Sequence, residues 1–155
     1  MSQVALVTGA AQGLGKAIAQ NLFNAGFSVI VSDANEIGAK EAALEIDPSA
    51  TRTMALKLDV LEKQDFETAL EASVERFGKV DALVNNAAMT PTTPVMEISA
   101  DEFDKVIGVN FRGTFFGCQV FGQYFADNQY GRIINMASLA GQNGGTASGA
   151  HYAST

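Results

Sequence analysis

The sequence is poor in cysteine, histidine, proline and tryptophan. It holds one cysteine, one histidine, three prolines and no tryptophan. A single cysteine cannot close a disulfide within the chain, which favours a reducing compartment. Strand-like residues follow Met1 almost at once, so no signal peptide is expected, and no apolar run reaches the roughly 18 residues of a membrane span. We therefore expect a cytoplasmic protein without a membrane partner.

Basic residues are also scarce. Ten lysines and arginines face seventeen acidic residues, for a net charge of −7. An acidic chain without a basic stripe argues against nucleic acid and against anionic membranes as partners. Histidine and cysteine do not cluster at metal-ligand spacing, so no metal site is expected.

Short apolar runs alternate with longer amphipathic patterns, which is typical of βαβ units around a parallel sheet. The predicted strands cover 4–7, 28–32, 53–58, 81–84 and 132–136. The predicted helices cover 13–25, 36–46, 62–77 and 99 to about 128, and a further helix opens near Tyr152 after a glycine-rich loop over 141–149. Ser99 and Glu102 have the spacing of a capping box. Right-handed crossovers then predict an α/β, doubly wound, Rossmann-like sheet with strand order 3-2-1-4-5.

A glycine-rich turn follows the first predicted strand. Gly9, Gly13 and Gly15 lie between that strand and the first helix, where backbone amides and the helix N-terminus suit a diphosphate. A nucleoside triphosphate P-loop does not fit, because Ala10 and Ala17 stand where its glycine and its hydroxyl residue belong. The turn predicts a dinucleotide site.

Asp33 ends the second predicted strand, where a carboxylate can accept hydrogen bonds from the adenosine ribose. A 2′-phosphate there would bring like charge at a cost of about 4 kcal/mol per unit charge at 4 Å and an effective dielectric near 20. No arginine or lysine stands at positions 10–12 to offset it. NAD is therefore predicted over NADP.

Two further features complete a pattern. Ser138 follows the fifth predicted strand, and Tyr152 lies fourteen residues later, within Tyr152-Ala153-Ser154-Thr155. With the Thr8–Gly15 turn and Asn85-Asn86-Ala87-Ala88, they resemble the short-chain dehydrogenase/reductase family over the whole chain, with Ala88 in place of the family's glycine. The resemblance implies a catalytic lysine at the position after Thr155, and so a single domain over 1–155 that is incomplete at its C-terminal end, with the family's later strands missing.

The resemblance also implies residue roles. Tyr152 is the acid/base, Ser138 holds the substrate oxygen, and Asn110 holds a water of the proton relay. A free tyrosine has a pKa near 10, which nearby cations lower; the family uses its lysine for this. His151 is expected to point away from Tyr152. The predicted cofactor-binding residues are Gly9, Gln12, Gly13, Leu14, Gly15, Asp33, Asp59, Val60, Asn86 and Ala87.

The long predicted helix carries two apolar stripes. Phe103, Ile107, Phe111 and Phe115 form one; Val106, Val109, Val120 and Tyr124 form the other. One stripe is expected to pack on the sheet. The other, by resemblance to the family, is expected to join copies of the complete protein into a homo-oligomer, a dimer or tetramer.

The predicted function is hydride transfer between NAD and a secondary alcohol or ketone. Gln142 and Asn143 hint at a polyol or sugar substrate. Two alternatives stay open: a 3-oxoacyl-carrier-protein reductase, which the acidic surface disfavours, and a catalytically silent NAD-binding module, because the motif lysine is absent. The 155-residue chain as it stands is expected to be an impaired enzyme. A methyltransferase would have no use for Ser138 and Tyr152.

Overall fold

A computed structural model describes residues 2–145 and 147–155. The strands are β1 (Val4–Thr8), β2 (Ser28–Asp33), β3 (Thr53–Lys57), β4 (Ala82–Asn85) and β5 (Arg132–Asn135). The helices are α1 (Gly13–Asn24), α2 (Glu36–Ile46), α3 (Lys63–Phe77), α4 (Ala100–Ile107), α5 (Gly113–Asp127), α6 (Ala140–Asn143) and α7 (Ala150–Ala153). A 3₁₀ turn covers Val95–Glu97, and a π-helical segment covers Gly108–Arg112.

The five strands form one parallel sheet in the order β3-β2-β1-β4-β5. The predicted fold class and strand order are confirmed. The chain winds outward from β1 in two directions, so the carboxyl ends of β1 and β4 lie side by side where the winding reverses. In open sheets of this kind, a ligand crevice forms at that point.

The three central strands β1, β2 and β4 are buried on both faces, which explains their continuous apolar runs. Side chains alternate along β1: Val4 and Leu6 pack with Phe66 and Phe121 of α3 and α5, and Val7 packs with small residues of α2 on the other face. Two helical layers therefore hold the strand ends in place.

Local sequence signals define several helix ends. Asn35 Oδ1 accepts the Gly38 N–H at 3.1 Å and so caps α2. Gly26, just after α1, and Gly78, at the end of α3, have φ of +96° and +81°, in the left-handed region that glycine tolerates. These ends agree with the predicted ones.

The structure corrects two predicted elements. The long helix runs without a break from Ala100 to Asp127, but it is not α-helical throughout, because Gly108–Arg112 widens into a π-helical turn in which the Gly113 N–H bonds Gly108 O, five residues back. The glycine-rich loop over 141–149 is shortened, since its first residues belong to the one-turn helix α6.

The capping box is only half formed. The Glu102 N–H donates to Ser99 Oγ at 3.1 Å, but the Glu102 carboxylate contacts Thr93 and His151. These two partners come from other segments of the chain, so tertiary contacts redirect a side chain that local geometry would turn back to the start of α4.

The two stripes of the long helix separate as expected. Val106 is fully buried, and Val109, Val120 and Tyr124 pack on the core. Phe103, Phe111 and Phe115 are exposed. β5 is an edge strand with an exposed Ile134. Within the described ranges, no helix has both the length and the apolarity to cross a bilayer.

Candidate active site

A crevice of about 720 Å³ opens at the carboxyl ends of the strands. That volume lies within the usual range of ligand pockets, about 300–1,000 Å³. All thirteen residues predicted for catalysis or cofactor binding line it: Gly9, Gln12, Gly13, Leu14, Gly15, Asp33, Asp59, Val60, Asn86, Ala87, Asn110, Ser138 and Tyr152. They come from all five strand ends and from the helices that follow, so the topology alone brings them together.

The turn after β1 needs its glycines for two different reasons. Gly9 and Gly13 have φ of +63° and +56°. Gly15 has no such φ, but a Cβ there would lie 2.2 Å from Gly9 O and 2.5 Å from Asn86 Nδ2. Gly9 is confined as well, because its Cβ would lie 2.8 Å from Ala87 Cα. The turn is therefore packed directly on the loop after β4.

Hydrogen bonds tie these two loops together. Thr8 Oγ1 accepts the N–H groups of Asn86 and Ala87 at 3.0 and 3.1 Å. Asn86 Nδ2 donates to Thr8 O and Gly9 O at 2.9 and 3.1 Å. These four hydrogen bonds fix the turn after β1 against the loop after β4, and together the two loops form the floor of the crevice.

The N-terminus of α1 faces this crevice. Among the described residues no side chain caps α1, and its first turn holds no acidic residue. The amides of this turn and the partial positive charge of the helix end remain available to an anion. A diphosphate fits this cradle, because the glycines keep side chains out of its approach.

Asp33 lies at the end of β2 with both carboxylate oxygens engaged. Oδ2 accepts the Ala11 N–H at 3.1 Å, and Oδ1 accepts the Asn35 N–H at 3.0 Å. The side chain is partly buried. Two backbone bonds orient the carboxylate beside the turn, so its remaining lone pairs can accept from a ribose.

Asp59 and Val60 border the crevice beyond β3. Asp59 Oδ1 accepts the Leu61 N–H at 3.0 Å, which stabilises a tight turn. Val60 packs against Gly113 at the start of α5, where an added Cβ would lie 2.9 Å from Val60 Cβ. The pair forms a fixed wall between the sheet and the long helix.

Ser138 and Tyr152 line the other end of the same crevice. Ser138 Oγ accepts the Ala140 N–H at 3.2 Å, which leaves the hydroxyl proton free to donate. Tyr152 is half-buried in the one-turn helix α7. The crevice therefore carries one hydroxyl donor and one phenol at this end.

Asn110 lies in the π-helical segment and clamps the loop after β4. Its Oδ1 accepts the Met89 N–H at 2.8 Å, and its Nδ2 donates to Met89 O at 2.9 Å. The same Nδ2 donates to Thr155 Oγ1 at 3.0 Å. The side chain therefore connects the long helix to the loop and to the chain beyond Tyr152.

Comparison with known proteins identifies the family of this chain. The family model described as short chain dehydrogenase matches residues 3–155. The chain belongs to the short-chain dehydrogenase family. A diacetyl reductase [(S)-acetoin forming] of Staphylococcus epidermidis is 39% identical over 142 residues, which cover 91% of this chain and 55% of that protein. A sorbitol dehydrogenase of Cereibacter sphaeroides is 36% identical over 152 residues, or 97% of this chain and 58% of that protein.

A solved structure gives the same result. The crystal structure of a short chain dehydrogenase from Bacillus anthracis superposes with a TM-score of 0.93 at 29% identity, over 98% of this chain and 63% of that one. The chain spans a little over half the length of the curated relatives it matches. The family fold is thus present over the matched part.

Sequence reasoning missed other residues of this short-chain dehydrogenase crevice. Five of them are Thr90, Val109, Thr114, Met136 and Thr155. Met136 could have been found, because it directly follows β5 at the edge that carries the site. Thr155 could not, since its contact with the Asn110 side chain joins residues 45 positions apart.

His151 points away from the crevice, as predicted. It is 1% exposed, and its Nε2 lies 2.8 Å from Glu102 Oε1. Thr93 Oγ1 donates to the same oxygen at 2.7 Å. The Thr93 hydroxyl first, and the His151 ring second, hold the pKa of Glu102 below its usual range. The carboxylate is therefore ionised and accepts from both neighbours.

Proposed function

We propose that the protein is an NAD-dependent oxidoreductase that transfers hydride between nicotinamide and a secondary alcohol or ketone. The observation that carries this proposal is the crevice, which joins an uncapped helix N-terminus, a fixed ribose-side carboxylate and a Ser138–Tyr152 pair. The nicotinamide, when bound, supplies the hydride acceptor or donor.

The residues of this chain handle the proton and the substrate. Ser138 donates a hydrogen bond to the substrate oxygen and orients the carbon that bears the hydride. Tyr152 exchanges a proton with the same oxygen: as a phenolate it takes the hydroxyl proton during oxidation, and as a phenol it gives a proton to that oxygen during reduction. Asn110 holds the loop and the Thr155 side chain next to Tyr152. In oxidation the hydroxyl proton goes to Tyr152 and the hydride goes to the nicotinamide, so charge and atoms balance.

The carboxylate of Asp33 supports NAD rather than NADP. Its two backbone bonds keep it beside the turn, so it cannot withdraw from a 2′-phosphate without losing them. No lysine or arginine lines the described crevice to offset that phosphate. Calorimetric titration should give at least tenfold tighter binding of NAD than of NADP. Asp33→Ser should narrow that ratio; equal ratios in both proteins would exclude Asp33 as the determinant.

A small acyclic polyol or hydroxyketone is the proposed substrate class. The relatives named above act, by their names, on diacetyl and on sorbitol. Turnover should be measured with sorbitol, acetoin and a carrier-protein thioester, with Tyr152→Phe and Ser138→Ala as controls. If the protein reduces the 3-oxo group of a carrier-protein thioester and turns over neither sorbitol nor acetoin, the carrier-protein reductase is favoured instead.

Binding and turnover should be measured separately. The crevice described here has no cation next to Tyr152, whereas the family resemblance implies a lysine just after Thr155. We propose that the 155-residue chain binds NAD but turns substrate over slowly. Adding a lysine-containing continuation should raise kcat with little change in the NAD Kd. Normal turnover by the 155-residue chain would contradict this.

A further inference from the structure

The segment that carries Tyr152 has little stability of its own. Helix α7 has four residues, Ala150–Ala153, and isolated helices far longer than this are marginal in water. The orientation of the Tyr152 side chain must therefore come from contacts between α7 and the rest of the chain.

Within the described residues, three hydrogen-bonded contacts tie this segment to distant parts of the chain. The Gly149 N–H donates to Pro91 O at 2.9 Å. His151 Nε2 lies 2.8 Å from the Glu102 carboxylate. The last, between Thr155 and the Asn110 side chain, lies beyond the helix. Of these three, the His151 contact is the one made by a side chain within α7, next to Tyr152.

The imidazole of His151 is tightly seated. A Cβ on Gly149 would lie 2.4 Å from His151 Cε1, so the ring packs against bare backbone. Because a carboxylate can only accept, the ring proton is on Nε2 and donates to Glu102. Nδ1 is buried and has no partner within the described ranges. An apolar side chain would fill this space without a buried orphan nitrogen, so the Nε2 hydrogen bond is the feature that requires a histidine.

Successive residues of a helix lie about 100° apart around its axis. Fixing His151 against α4 therefore fixes the rotation of α7, and with it the direction of Tyr152 toward the crevice. We propose that the His151–Glu102 hydrogen bond positions the Tyr152 phenol, which makes His151 a positioning residue for the oxidoreductase function proposed above.

Glu102 is itself held in place for this task. Its backbone N–H is bound by Ser99 Oγ, and its carboxylate by Thr93 Oγ1. These bonds join the start of α4 to the loop before it. Rotation of α7 would therefore have to break the His151–Glu102 hydrogen bond, because Thr93 and Ser99 hold Glu102 in place.

Two substitutions at His151 separate the hydrogen bond from simple packing. In His151→Gln, the side-chain amide nitrogen occupies the place of Nε2 and can still donate to Glu102. In His151→Asn, the amide reaches only to the place of Nδ1. Both are polar and uncharged, so they differ mainly in the bond under test.

Tyr152 can be observed directly. The chain has three tyrosines, Tyr124, Tyr130 and Tyr152, so 3-fluorotyrosine labelling gives three ¹⁹F signals, which Tyr→Phe variants assign. His151→Asn should move the Tyr152 signal toward its unfolded position and leave the other two unchanged. His151→Gln should leave all three unchanged. An unchanged Tyr152 signal in His151→Asn, or equal shifts in both variants, would overturn the proposal.

If all three ¹⁹F signals move to their unfolded positions in His151→Asn, that variant has unfolded, and the hydrogen bond is tested instead by substitutions at Glu102. Glu102→Gln keeps an acceptor oxygen, and Glu102→Met does not. Only the Met variant should displace the Tyr152 signal; identical spectra of the two would overturn the proposal.

Activity distinguishes this proposal from the function on which it depends. In a form that turns over alcohol, His151→Asn should lower kcat about 10- to 100-fold, the effect of small misplacements at a reacting centre, and leave the NAD Kd unchanged. A parent protein that binds no NAD would refute the proposed function, while the ¹⁹F comparison would still decide the role of His151.

Discussion

Three glycines around α1 allow backbone strain, close packing and ligand access to be measured separately. Gly13 and Gly26 both have positive φ, +56° and +96°, and an added Cβ on either meets nothing within 4 Å. Gly15 has helical φ, but its Cβ would overlap Gly9 O at 2.2 Å. Comparison of alanine at the three positions therefore separates these costs.

The expected losses of stability follow from this geometry. Gly13→Ala and Gly26→Ala should each cost about 1–2 kcal/mol, the cost of a left-handed non-glycine residue. For a domain of this size that lowers Tm by about 2–8 °C. Gly15→Ala should cost about 3 kcal/mol or more, because the clash involves backbone and is at the upper end of overpacking. Its Tm should fall by at least about 6 °C.

The NAD Kd should follow a different order. Gly13 lines the crevice, so a methyl group there occupies space that the diphosphate would need, and Gly13→Ala should bind NAD at least tenfold more weakly. Gly26→Ala, at the far end of α1, should bind normally. Scanning calorimetry and NAD titration of the three variants give both quantities. Equal NAD affinity in Gly13→Ala and Gly26→Ala would show that the diphosphate does not rest on this turn, and an unchanged Tm in Gly15→Ala would refute the packing argument.

Three further predictions concern the segment before β3. Arg52→Met should cost about 2 kcal/mol, since the guanidinium donates to Phe23 O at 3.1 Å and lies 3.8 Å above the Phe23 ring; a urea midpoint equal to that of the parent would contradict this. Ala50 has φ +50°, so Ala50→Gly should raise the free energy of unfolding by up to about 1 kcal/mol. A Tm below that of the parent would refute this prediction. The Ser49 hydroxyl and then the Arg52 amide lower the pKa of Asp47. The ionised Asp47 therefore stabilises the fold above its unfolded pKa of about 4, and this stabilisation is lost as pH falls through the lower folded pKa. Asp47→Asn should make the free energy of unfolding less dependent on pH in acid, and an equally steep dependence would exclude a stabilising role for the Asp47 carboxylate.

Local sequence signals were sufficient for most of the fold. The apolar runs, the Asn35 cap and the glycines after α1 and α3 act within a few residues of themselves, and the structure confirms them. Strand order followed because parallel connections have one hand. The site residues predicted from the sequence and from the family resemblance line one crevice, since the ends of parallel strands meet at one edge.

The predicted elements that differ depend on distant contacts. The capping-box pattern of Ser99 and Glu102 is correct for the backbone bond but not for the carboxylate. The π-helical turn at Asn110 has no local signal, because its side chain is satisfied by Met89, twenty-one residues earlier, and by Thr155. Periodicity alone could not reveal either feature.

The sequence by itself determined which residues belong to strands, which glycine-rich turn follows β1, and which side chains gather at the carboxyl edge, because propensity, capping and handedness act locally or through topology. Only the tertiary structure decided which stripe of the long helix turns inward and how Tyr152 is aimed. The aim of Tyr152, for example, depends on the pair His151 and Glu102, which are 49 residues apart in the sequence. Their energies exist only once the chain has folded and water has been excluded around them.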